Sequence, residues 1–126
     1  MPFEIVRNDI VKVTADAIVN TANPKPLIGA GTDYAIYRDA GPELLEARKA
    51  IGNIQSGQVA VTPAFGLNAK YVIHAVGPVW KGGTESEEEI LRQTYDNALE
   101  AAVSYRCQSV AFPLMATGTY RFPKDK

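Results

Sequence analysis

The sequence predicts an α/β fold, a sheet with helices on both faces. Three observations lead there. Short apolar runs, Ala17-Ile18-Val19 and the stretch from Lys70 to Val76, have the length and composition of buried strands. Longer segments with helical spacing and clear stop residues alternate with those runs. The loops that follow two of the strands, after Val19 and after Phe112, are short-chained, polar and bear Gly or Thr. In sheets of this class ligands collect beyond the carboxyl ends of the strands.

In chain order, Phe3 to Val6 reads as a first strand ending at Arg7-Asn8-Asp9. Ile10 to Thr14 leads to Asp16 and the second strand. That strand ends in Asn20-Thr21-Ala22-Asn23-Pro24, where Pro24 keeps Asn23 out of a helix. Asp33 to Ala40 is helical and Gly41 closes it. Pro42 suits the first position of another helix. Glu43 to Ile51 continues it, with Leu44, Leu45 and Ala47 as apolar positions and Gly52 as the stop. Gln58 to Thr62 and Lys70 to Val76 are strands joined by a short connection, so a hairpin is expected. Ser86 with Glu89 fits a capping box, and the longest helix follows, from about Glu87 to Tyr105. Leu91, Tyr95, Ala98, Leu99, Ala102 and Val103 are expected on its buried face. Ser109 to Pro113 is the last strand, and Met115 to Tyr120 a second small-residue loop.

With 126 residues the chain is expected to form a single domain, 1–126. Apolar residues at 46% and charged residues at 21% place it among globular chains and outside the disordered class. A net charge of −1 provides no basic footprint for long nucleic acid. It leaves room for a small anion, which needs only local donors. One cysteine, Cys107, excludes an internal disulfide framework and a multi-cysteine zinc site; no metal and no cofactor are expected. The first residues carry no apolar signal core and no stretch reaches membrane-spanning length, so the expectation is a soluble cytoplasmic protein.

The stretch from Asp16 to Gly41 organises the rest. Strand, polar loop, small-residue turn Gly29-Ala30-Gly31-Thr32 and helix start follow one another. This order gathers backbone N–H groups at a helix N-terminus, where unpaired donors and the helix dipole attract phosphate. Glycine there lets an anion reach the backbone. Taken singly, the polar residues have plainer readings. Asp33 is a good helix cap, Asn23-Pro24 an ordinary turn, and Asp9 the end of a strand. The sole histidine, His74, lies inside a strand and reads as a core residue, which removes support for a Ser-His-Asp or Cys-His mechanism. Cys107 reads as packing behind the long helix. A dinucleotide fingerprint fails because its third glycine would fall on Tyr34, and no GK[ST] follows the glycines.

Five stretches in order resemble the macrodomain family of ADP-ribose-binding modules: Asn8-Asp9-Ile10, DAIVNTAN, GAGTDYAI, YVIHAVGPVW with Gly82-Gly83, and AFPLMATGTY. The resemblance covers nearly the whole chain. It implies a three-layer α/β/α fold with a central mixed sheet, from which the last helix and strand are missing here, leaving the domain incomplete at its C-terminal end. Strand edges exposed by that loss would invite self-association.

The resemblance also implies roles. Asp9 would accept a hydrogen bond from the adenine amino group, with Ile10 beside it. Asn23 would contact the distal ribose, and Asp33 would stand near that ribose and its water. Gly29, Ala30, Gly31 and Thr32 would form the first phosphate loop. Ala116, Thr117, Gly118 and Thr119 would form the second, with Tyr120 as the aromatic beside the distal ribose. Departures are Ala30 where relatives have more glycine, Tyr37 where they often have His, and Arg121 in place of a common Gly. The implied ligands are ADP-ribose, ADP-ribosylated protein or O-acetyl-ADP-ribose. The implied activity is hydrolysis of ADP-ribosyl esters without a metal. The alternative is a reader that binds ADP-ribose without turnover. The pairing of Asn23 with Asp33 favours the enzyme. Binding of another adenine nucleotide or of RNA is a weaker third reading, and the balanced charge argues against RNA.

Overall fold

A computed structural model describes residues 10–78 and 87–113. A 3-10 turn, Ile10–Lys12, opens the described chain. Strand β1 spans Ala17–Thr21, helix α1 Thr32–Ala40 and helix α2 Pro42–Ile51. Strands β2, Val59–Pro63, and β3, Tyr71–Ala75, follow. Helix α3 runs Glu87–Ser104 and strand β4 is Val110–Ala111. The expected first strand, Asp9, the Ser86 cap and the loop from Met115 to Tyr120 lie outside the described residues.

The described sheet has the order β2-β3-β1-β4. β1 runs parallel to both β3 and β4, whereas β2 and β3 form the expected antiparallel hairpin. The sheet is therefore mixed. Register places Ile18 opposite Val72 and Asn20 opposite His74.

Strand alternation sends side chains to opposite faces. Ile18 and Val72 pack with Ile36, Tyr37, Ala40 and Leu44 of the two short helices. Ala17, Val19, Ile73 and Ala75 pack with Ala98 and Ala102 of α3 and with Cys107. Helices thus cover both faces, in the three layers expected. Ile18, Ile36 and Leu44 are fully excluded from water, and each such side chain contributes about 1.5–3 kcal/mol by burial. Small residues on α3 let the helix lie close to the strands. Tyr95 stacks on Phe112 at 5.4 Å, and Tyr71 meets Tyr105 edge-on at 4.9 Å, which closes this layer at its rim.

Gly41 joins α1 to α2. Its φ of 96° lies in the region that L side chains avoid. Its N–H donates to the Tyr37 carbonyl at 3.2 Å, so one residue ends the first helix and starts the second. The chain can then fold α2 back beside the strands.

Three local expectations change. Val103 is 66% exposed, because the buried stripe of α3 runs through Thr94, Ala98 and Ala102, and Val103 lies off it. Asp33 does not cap α1: Gly31 holds the cap position with no side-chain hydrogen bond, and the Asp33 carboxylate bonds elsewhere. The last strand pairs only over Val110–Ala111, in register with Ala17 and Ile18.

Candidate functional site

The site is built where β1 ends. β1 delivers Asn20 to its carboxyl end on the face towards α1 and α2. The chain then turns through Asn23-Pro24 and returns by way of Gly29 to the start of α1. Asp33, in the first turn of that helix, is 4% exposed. One of its oxygens accepts from Asn20 Nδ2 at 2.6 Å, and the other accepts from the Gly29 backbone N–H at 2.5 Å. The carboxylate is thus fixed by strand and loop at once.

Asn23 is half-buried and its side-chain amide donates to the Leu27 carbonyl at 3.2 Å. Gly29 shows how close Asn23 and Asp33 come. A β-carbon on Gly29 would stand 2.8 Å from Asn23 Nδ2 and 3.3 Å from an Asp33 carboxylate oxygen. The fold therefore gathers Asn23, Gly29 and Asp33 at one spot. Ala30, Gly31 and Thr32 continue from it into α1, with Ala30 and Gly31 exposed. The first helical bond of α1 runs from the Ala35 N–H to the Gly31 carbonyl at 3.1 Å. Donors ahead of it have no partner within the helix, so the turn faces outward as an anion-attracting terminus. Ile10 lies half-buried against the α1–α2 core. Asp9 and Ala116 to Tyr120 lie outside the described residues, so their distance from this spot has no structural statement.

Below the surface lies a polar layer that sequence reasoning missed. Arg48 is 1% exposed. Its guanidinium donates to the carbonyls of Asn23 at 3.0 Å, Pro24 at 3.1 Å and Gly52. Asn20 is fully buried. Both left a signal. Asn20 follows Ile18 by two on a strand with an apolar face, and Arg48 follows Leu44 by four on the buried stripe of α2. A polar residue in such a position must find buried partners or serve a site.

His74 is fully buried as expected, and its Nε2 lies 3.0 Å from Thr62 Oγ1. The Thr62 hydroxyl donates to the Pro63 carbonyl at 3.0 Å. It therefore accepts from Nε2–H, and His74 Nδ1 is left as an acceptor. Nδ1 and Asn20 Oδ1 are buried acceptors without a partner among the described residues.

The charges of this layer follow from burial. Burial lifts the Asp33 carboxyl above its ordinary range, while the Gly29 N–H, the Asn20 amide and the Arg48 charge pull it back. Burial, seconded by Arg48, pushes His74 down to about 3, so it is neutral across the working range. Burial and the Asp33 charge push Tyr37 up to about 12, so its phenol keeps its proton. Among the described residues no group of three His, Cys, Asp or Glu side chains is arranged to hold a metal, and no helix is long and apolar enough to cross a membrane.

The family model for the Macro domain matches residues 19–126. The chain belongs to the Macro domain family. A Macro domain-containing protein of Lactiplantibacillus plantarum is 48% identical over 121 residues, which cover 96% of this chain and 70% of that protein. An O-acetyl-ADP-ribose deacetylase of Salmonella newport is 46% identical over 126 residues, covering 97% of this chain and 70% of that one. Among solved structures, the Oceanobacillus iheyensis macrodomain with ADP superposes with a TM-score of 0.88 at 39% identity. That match covers 92% of this macrodomain and 65% of the solved chain. This macrodomain thus spans about two thirds of the length of the relatives it matches.

Proposed function

We propose that this macrodomain binds ADP-ribose and hydrolyses ADP-ribosyl esters, on carboxylate side chains of modified proteins or on O-acetyl-ADP-ribose. The observation that carries the reading is the convergence of Asp33 and Asn23 on Gly29, at the start of a helix. The Gly29–Thr32 turn would take one side of the diphosphate through backbone N–H groups. Ala116 to Thr119 would take the other, with Tyr120 beside the distal ribose, and Asp9 with Ile10 would receive the adenine. Asn23 would hold the distal ribose, placing the ester over Asp33.

The chemistry asks little of the protein beyond placement. Water attacks the ester carbonyl carbon, and its proton passes to the ionised Asp33. The bond from that carbon to the ribose oxygen breaks, and the proton goes to the departing oxygen. A free carboxylic acid and ADP-ribose result. Burial raises the basicity of Asp33, which suits it to take the proton, while its two fixed hydrogen bonds aim it. Positioning and backbone donors supply the rest. The likeness to a protein named O-acetyl-ADP-ribose deacetylase supports this reading over that of a silent reader.

The test uses Asp33→Ala. Ester turnover should fall by on the order of 10²–10⁴, while calorimetric binding of free ADP-ribose persists. Wild-type protein that binds ADP-ribose but releases none from either ester class would establish the reader instead.

A further inference from the structure

Arg48 has an unusual set of contacts. A fully buried guanidinium commonly meets a carboxylate. Among the described residues no carboxylate lies within ion-pair distance of this one. Its hydrogen bonds go to three carbonyls, and two of these belong to Asn23 and Pro24, the turn that presents the Asn23 side chain. The third, on Gly52, ends the helix that carries Arg48. The Pro24 carbonyl also accepts the Ile54 N–H at 2.8 Å, so the turn is tied from beneath to the end of α2 and the segment after it.

The charge has a destination as well. Asp33, Tyr37 and His74 all feel Arg48. Around Asp33, β1 contributes the uncharged Asn20 amide, α1 contributes Tyr37, α2 contributes Arg48, and β3 contributes His74 to the same layer. Between about pH 4 and 10 Tyr37 and His74 are neutral. Arg48 is then the one formal charge among these four neighbours.

We propose that Arg48 is a positioning residue of this site, which clamps the Asn23–Pro24 turn from beneath and supplies the positive charge that Asp33 faces across the interior. The proposal rests on the reading of Asn23 and Asp33 given above. A guanidinium suits both tasks, because its planar fork reaches several carbonyls at once and stays charged when buried. Arg48 touches no reacting atom. It acts through the turn and through the carboxylate.

The experiment separates the two tasks and needs no substrate for its first arm. Carbon-13 NMR follows the Asp33 carboxyl titration in wild type, Arg48→Gln and Arg48→Lys, each well below its melting temperature. Gln keeps amide donors and loses the charge, so the Asp33 midpoint should rise. Lys keeps the charge and loses the fork, so the midpoint should stay near that of wild type. An unmoved midpoint in Arg48→Gln overturns the electrostatic role. If Arg48→Gln does not fold, Arg48→Lys decides on the clamp alone. In it, hydrogen exchange at the Ile54 N–H should accelerate, and ester turnover per folded molecule should fall up to about 100-fold. Wild-type exchange and wild-type turnover in Arg48→Lys would overturn the clamp. Were wild-type protein itself inactive on esters, the hydrolase reading would fall, while the titration and exchange arms would still judge Arg48.

Discussion

Strands β1 and β3 bury both of their faces, and the two faces are built from opposite chemistry. Towards α3 they present Ala17, Val19, Ile73 and Ala75, met by Ala98, Ala102 and Cys107. Towards α1 and α2 they present Ile18 and Val72 at one end, then Asn20 and His74 at the carboxyl end, over Tyr37, Asp33 and Arg48. The first face could belong to any α/β sheet. The second carries polar atoms whose burial is repaid only by specific partners. One register serves both, so the apolar face sets the geometry that the polar face exploits. Stability should accordingly be sensitive to charge on the α3 side, and to pH and shape on the other.

The largest break comes from putting a charge where the apolar face has none. Ala102 is fully buried in the apolar cluster between α3 and the sheet. Ala102→Asp should lower stability by more than about 4 kcal/mol, the range of an unpaired buried charge. Thermal or urea melting monitored by circular dichroism at pH 7 checks it. A native-like melt would mean that α3 lifts off the sheet more readily than its packing implies.

The next effect is pH dependence, and the polar face carries it with two opposing signs. His74 has its folded pKa depressed to about 3 from an ordinary 6.5. Below pH 6.5 the unfolded chain binds a proton that the folded chain refuses. Stability is therefore lost as pH falls through that value, by up to about 1.4 kcal/mol per pH unit, and levels off near the folded pKa. Asp33 runs the other way. Its folded pKa is raised above 3.8, so the folded chain binds the extra proton and stability grows as pH falls through the raised value. His74→Gln should flatten the acid limb between pH 6 and 4, and Asp33→Asn should remove the opposing gain that Asp33 brings as pH falls through its raised value. Melting temperatures across that range decide the matter. A His74→Gln curve parallel to wild type would mean that the ring titrates freely in the folded state.

How much of this was legible in the sequence follows the same divide. Both strands of the hairpin, the two short helices and their glycine ends could be placed from apolar spacing and stop signals, because those signals are local. The edges of the elements were less well placed. Ser109 to Pro113 has the composition of a strand five residues long, yet only Val110–Ala111 pairs, since pairing depends on where β1 begins. Val103 read as core from its helical spacing to Leu99, but the buried stripe through Thr94, Ala98 and Ala102 is narrower than that spacing allows, and Val103 is exposed. At the site, Asn23 and Asp33 were singled out by their resemblance to a family, with their loop chemistry in support. Asn20 and Arg48 were passed over. Each has a partner distant in sequence, 13 residues away for Asn20 and 25 or 24 for the turn that Arg48 holds. Helical and strand periodicity can mark such a residue as buried. It cannot say what it is buried against.

The smallest effect on stability should give the cleanest contrast, because it compares two glycines with equally tight surroundings. A β-carbon at Gly66 would meet the Asp39 carbonyl oxygen at 2.8 Å and the Ala40 carbonyl oxygen at 3.0 Å, both backbone atoms of α1 that cannot step aside. At Gly29 the nearest atom is also at 2.8 Å, but it is the end of the Asn23 side chain, which can rotate. Gly66→Ala should therefore destabilise by about 1–3 kcal/mol, as overpacking does, with turnover per folded molecule unchanged. Gly29→Ala should cost less, about 0.5–1.5 kcal/mol, the worth of the Asn23–Leu27 hydrogen bond that a rotated Asn23 gives up. Its displaced Asn23 amide should nonetheless weaken ester turnover by on the order of tenfold, about 1.4 kcal/mol of transition-state stabilisation. Melting temperature and turnover, measured side by side on both variants, make the comparison. Full activity in Gly29→Ala would mean that Asn23 does not need its present rotamer, and the case for its pairing with Asp33 would weaken accordingly.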